Sequence, residues 1–345
     1  MQTMKSETLT EHNNMGLTAS EMGFLWTQYI NDSMAICVLK YFAEICEDKE
    51  ILSVIEYSKG QAHENIQRIT DIFNQEELAI PVGFTDDDVN VKAPRLFSDT
   101  FILLYLLNMA VVGLNGVCIA IGVSARSDVS EFFHDVMASA SNLHKQARIV
   151  ALNKGVYIRP PFISKPEKVD FVKKQSFLFD MFGKNKRPLS AIEITHLFKN
   201  IQTNDIGNTM MMAFAQVCKS DDVKQFFLAG KGISNKHIKK FSTTLTDEDI
   251  PSPQGSDAHV MNSTVAPFSD KLMVFHTTEM IAVGMGNYGA ASATCHRLDL
   301  SAMYARLAAE VALYSEDGAN ILISHGWFEE PPQADDRKAL VDQPK

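Results

Sequence analysis

The chain has 345 residues, 46% hydrophobic and 21% charged, which is enough for two globular domains with a core each. A formal charge of −10 without any basic run argues against nucleic acid and against an anionic membrane surface as partners. Five cysteines, odd in number and lacking a Cys-x-x-Cys pair, point to reduced thiols in a cytoplasmic protein and exclude a disulfide framework.

Residues 1–16 read as a polar N-terminal arm with no apolar stretch of the signal-peptide kind. A first helix is predicted from the capping box Thr18-x-x-Glu21, where hydroxyl and carboxylate satisfy each other's orphan amides. Phe24, Leu25, Ile30, Met34 and Val38 come next at helical spacing. A second helix covers about Glu50–Phe73, and a loop rich in Pro, Asp and Gly runs over Ile80–Arg95. The third helix starts at Ser98-Asp99. Its segment Phe101–Val123 carries no charge and is long enough to cross a bilayer. With no basic flank to orient a span, it reads instead as the apolar centre of a bundle. A fourth helix starts near Asp128 and ends before Gly155, in the place of a C-cap glycine, with the stripe Val129, Phe132, Phe133 and Val136. Residues 162–188 connect this unit to the remainder of the chain. Phe171, Phe177, Phe179 and Phe182 predict a linker packed on a bundle, beside the basic cluster Lys184, Lys186 and Arg187.

The series then starts again. Leu17-Thr18-Ala19-Ser20-Glu21 recurs as Leu189-Ser190-Ala191-Ile192-Glu193, Lys59-Gly60 as Lys231-Gly232, and Phe97-Ser98-Asp99 as Phe268-Ser269-Asp270. Arg126 and Asp128 match Arg297 and Asp299, and Gly155 matches Gly326. The offset is 172 early in each copy and 171 later, a single slip of the kind a loop absorbs. The predicted architecture is therefore all-α: two tandem ferritin-like four-helix bundles, residues 17–161 and 189–332, from an internal duplication. Each has short hairpins and one long crossover between its second and third helices. Residues 333–345 form a C-terminal tail.

A bundle of this kind raises the question of a di-metal carboxylate centre, which needs Glu-x-x-His on two helices and a Glu on each of the other two. Glu131-x-x-His134 and Glu193-x-x-His196 are partial matches, and both read as surface residues. The second copy holds a different set: His237, His276, Glu279, Glu310 and Asp317. Convergence of these would suit a divalent transition metal such as iron, manganese or zinc. The first copy has Asn65, Tyr105, Asn108, Ser139 and Gln146 there instead. The alternative is a buried polar network whose members satisfy one another. A third set, Tyr29, Asp32 and Ser33 against Ile201, Asn204 and Asp205, marks helix–helix hydrogen bonding or a small pocket. No nucleophile elbow and no phosphate-binding glycine loop occurs.

The segments Leu25-Trp26-Thr27-Gln28-Tyr29, Pro94-Arg95-Leu96-Phe97-Ser98-Asp99, Ile201-Gln202-Thr203-Asn204, Phe275-His276-Thr277-Thr278 and Glu316-Asp317-Gly318-Ala319-Asn320 resemble a domain-of-unknown-function family of spore-forming bacilli. The resemblance covers about Leu17 to Asp336 and includes the duplication. It implies a ferritin-like fold and, through relatives labelled spore coat proteins, a spore-associated role, and it carries over no catalytic residue. Three functional readings follow, the first preferred and the other two its alternatives. One is a non-enzymatic protein acting by self-association, as a homo-oligomer or with spore-layer proteins. Another is a metal-binding or redox protein using the second-copy cluster. The last is a small-molecule binder with a pocket between helices or between the two bundles.

Overall fold

A computed structural model describes residues 15–178, 187–253 and 259–342. The arm before Met15, Phe179, Phe182, Lys184 and Lys186 of the linker, and the end of the tail lie outside these residues. The eight long helices among the described residues are α1 (Ala19–Ile45), α2 (Lys49–Gln75), α3 (Asp99–Val123), α4 (Ser127–Asn153), α5 (Ala191–Val217), α6 (Asp221–Thr246), α7 (Asp270–Thr294) and α8 (Leu298–Ser324). A short α9 (Arg337–Asp342) lies beyond them. Each long helix spans about 40 Å. Within each half the first two helices pair, the last two pair, and a crossover joins the pairs.

Local chemistry sets the ends. Thr18 and Ser190 form complete capping boxes with Glu21 and Glu193. Ser98 and Ser269 cap α3 and α7. Gly155 and Gly326 hold φ of +71° and +67° past α4 and α8, where a side chain would be strained. The repeated landmarks are clamps that tie elements together. Glu21 accepts from the backbone amides of Ala125 and Arg126, and Glu193 from those of His296 and Arg297. Arg126 pairs with Asp128 and Glu76, and Arg297 with Asp299 and Glu248. Asp99 and Asp270 each receive two amides from the opposite turn, at Glu47 and Asp48 or Lys219 and Ser220.

The halves are joined reciprocally, as a pseudo-twofold axis requires. Val89 bridges Phe268, and Phe97 bridges Val260. Ser98 N donates to His259 O and Ser269 N to Asp88 O, each at 3.0 Å. The two capping hydroxyls point across as well: Ser269 Oγ donates to Asp88 at 2.6 Å, and Ser98 Oγ lies 2.8 Å from His259 Nδ1. Each crossover therefore completes the helix start of the other half. One hydrophobic core runs through both halves, and a smaller cluster around Phe132 fills the outer end of the first. The core is shared, not divided into two.

Helix α3 is the described helix long and apolar enough to cross a membrane. Its first turns, at Phe101, Ile102 and Leu103, have no exposure and form the middle of the shared core. The linker departs from expectation. Phe171 is 79% exposed because residues 163–174 run without a packed neighbour, whereas Phe177 is half-buried with the Arg187 guanidinium 4.2 Å from its ring centre. Glu193, read as a surface residue, is fully buried because Arg187 and four other donors enclose its carboxylate. Glu131 and His134 do lie on the surface.

Candidate functional site

The reciprocal packing leaves a cavity of about 720 Å³ between the halves, walled by the inner faces of α1, α3, α5 and α7. Most of the wall is apolar, including Leu106, Val112, Val117 and Met280. Gly113 and Gly284, at equivalent positions on α3 and α7, also line it. A Cβ added at Gly284 would meet nothing within 4 Å. Helix-interior glycine costs about 1 kcal/mol against alanine, so its use here keeps space open.

The pseudo-axis passes through Tyr105 and His276, equivalent residues whose OH and Nε2 are 2.7 Å apart. Burial holds His276 down to about 4, so the ring is neutral. Its Nδ1 is enclosed and has no hydrogen-bond partner among the described residues. On one side of the axis Asn31 hydrogen bonds Glu279, whose carboxyl burial pushes up. At the equivalent place on the other side, Lys199 Nζ donates to Asn108 at 3.0 Å, and Thr203 also reaches Asn108. Asp32, next to Asn31, accepts from Gln28 at 2.8 Å and from Asn65, and its burial raises the carboxyl to about 7.

The fourth polar group belongs to the second half. His237 is fully buried, with Nε2 3.3 Å from Glu310 and Nδ1 2.8 Å from Tyr288 OH. Lys236 and His237 hold the Glu310 carboxyl below its usual range, so it accepts. His237 Nε2 therefore carries the proton, Nδ1 accepts from the Tyr288 hydroxyl, and Asn204 Nδ2 donates to that oxygen at 2.8 Å. The result is a fixed chain from Glu310, partly exposed, to Tyr288 and Asn204 on the cavity wall.

The five second-copy residues thus go to separate places. His237 meets Glu310 inside the second half. His276 and Glu279 face the first half, because α7 turns that stripe toward α1 and α3. Asp317 is exposed on α8. Among the described residues, no three His, Cys, Asp or Glu side chains gather as a metal-holding group. A centre for iron, manganese or zinc would need such a group, and the packing joins His237 to Glu310 while turning His276, Glu279 and Asp317 elsewhere. Asp32 and Asn204, singled out from mid-helix polarity, both line the cavity, while Ser33 instead holds the crossover by accepting from Phe84 N at 3.0 Å. Tyr288, Asn31 and Lys199 escape a sequence reading. The available signal was that cavity residues differ between the copies where clamp residues repeat.

Fold and cavity together define a duplicated all-α protein with an apolar pocket open on one side between its halves. The profile of the family described as "Protein of unknown function (DUF3231)" matches residues 6–169 and again 176–340, and the chain belongs to that family. No curated protein matches it. Among solved structures, it is similar to one from Bacillus halodurans described as a "putative spore coat protein". That similarity has 20% identity and a TM-score of 0.40, and covers 45% of this chain and 99% of the other.

Proposed function

We propose that the protein binds a small apolar or amphipathic molecule in the cavity between its halves. The observation that carries this reading is the cavity of about 720 Å³, mostly apolar with a few inward polar groups. Its size falls in the range of ligand sites, which pair apolar walls with sparse, fixed polar contacts. Differences between the copies support the same reading, since duplication alone would leave both cavity walls alike. Tyr288 and Asn204 supply hydrogen-bonding groups locked by His237 and Glu310, and the hydroxyl is oriented before any ligand arrives. The spore association implied by the family resemblance is compatible with a binding role and adds no residue to the site.

Calorimetric titration of the full chain with decanol tests the reading. One decanol should bind per chain. Gly284→Leu, which fills open space and improves helix propensity, should weaken binding at least about tenfold without loss of thermal stability. Unchanged affinity in that variant would contradict the proposal.

A further inference from the structure

Lys199 on α5 is half-buried one hydrogen bond behind the cavity wall, and burial lowers its ammonium group to about 8. Its Nζ donates at 3.0 Å to Oδ1 of Asn108, a cavity-lining residue of α3. Thr203 Oγ1, also from the cavity wall, lies 3.5 Å from the same oxygen. Two donors thus occupy that oxygen, and the N–H groups of Asn108 Nδ2 have no partner among the described residues. Two further cations stand near. Burial, then the charges of Arg148 and Lys199, hold His144 below its usual range, which places all three in one neighbourhood between α4 and α5. No Asp or Glu among the described residues pairs with any of them. A buried ammonium group ordinarily comes with a counter-ion, because taking unpaired charge out of water is expensive. The positions equivalent to Lys199, Asn108, His144 and Arg148 are Thr27, Glu279, Ser315 and Ala319. Positive charge therefore gathers on the Asn108 side of the pseudo-axis, and a carboxyl stands on the other.

We infer that the cavity takes a long-chain carboxylate, its head group on the Asn108 amide in front of Lys199 and its apolar body along α3 and α7. The inference deepens the ligand-binding reading and rests on it. A carboxylate only accepts, so its oxygens match the uncommitted Nδ2 donors and bring the counter-charge that Lys199 lacks. Lys199 itself retains two N–H donors beyond the one given to Asn108. Val112, Gly113 and Val117 of α3 and Met280 of α7 continue the wall with apolar contact, which suits a hydrocarbon body. A cationic head group at this place would meet Lys199 and gain no counter-charge.

The test titrates the full chain with three molecules of one chain length, decanoate, decanol and decylammonium. At about pH 6.5 the carboxylate and the amine are charged and Lys199 is protonated. Decanoate should bind at least about tenfold more tightly than decanol, and decylammonium more weakly than both. Lys199→Met keeps the reach of the side chain and drops its charge. It should bring decanoate and decanol to within about threefold while decanol binding persists, which also shows that the variant is folded. Asn108→Asp supplies Lys199 with a carboxylate from within and should place decanoate below decanol. Equal binding of all three molecules, or a decanoate preference that survives Lys199→Met, would overturn the anion assignment and leave the cavity reading standing. Failure of all three to bind would remove both.

Discussion

Two buried carboxyls in this protein respond oppositely to acid, and the difference lies in what surrounds them. At Asp32, burial with only amide partners raises the carboxyl from 3.8 to about 7. The folded state then binds more protons than the unfolded state across that window, so stability falls as pH rises through it. Asp32→Asn should therefore stabilise the ligand-free protein near pH 8, by at most about 4 kcal/mol, with the gain shrinking toward pH 4. Thermal melts of both proteins at the two pH values check this, and a gain independent of pH would contradict it. At Glu193, Arg187 and backbone amides outweigh burial and lower the carboxyl from 4.5 to about 2. Its contribution is complete above about pH 4.5 and is lost as pH falls toward 2. Glu193→Ala removes the carboxylate that pairs with Arg187 and accepts from the amides of Ser190, His296 and Arg297, and should cost about 3–5 kcal/mol at neutral pH, read from urea unfolding.

At the scale of elements, helix starts, hairpin turns and the long crossover were legible because each rests on a local rule. Capping boxes, Ser-Asp starts and αL glycines recur in both copies and mark the ends where the structure has them. The cavity was legible only in part. Asp32 and Asn204 stood out as polar residues inside apolar helices, and His276 and Glu279 as an i, i+3 pair, but their orientation depended on how α7 packs across the pseudo-axis. Nothing in the sequence specifies that packing, and it separates a group that looked like one centre. The linker misled for the same reason: aromatic content says a residue can pack, and Phe171 finds no surface to pack on.

For the whole molecule, the exchange of crossovers and the continuous core have a thermodynamic consequence. Halves that complete each other's helix starts cannot melt independently. Calorimetry of the full chain should give one transition with matching calorimetric and van't Hoff enthalpies, despite two family repeats. Phe268 sits where Tyr41 and Phe214 of the two halves meet, with ring centroids 5.3 and 6.3 Å away. Phe268→Ala should remove about 3–5 kcal/mol and lower that single transition without splitting it. Two resolved transitions would mean that the halves fold alone.

The claim that the space between the halves is a ligand site meets its most direct test in a crystal structure of the full chain grown with decanol. The predicted result is continuous density for the alcohol between α3 and α7, with its hydroxyl toward Tyr288 and Asn204. Density for ordered water alone in that space, or alcohol bound only elsewhere on the surface, would contradict it.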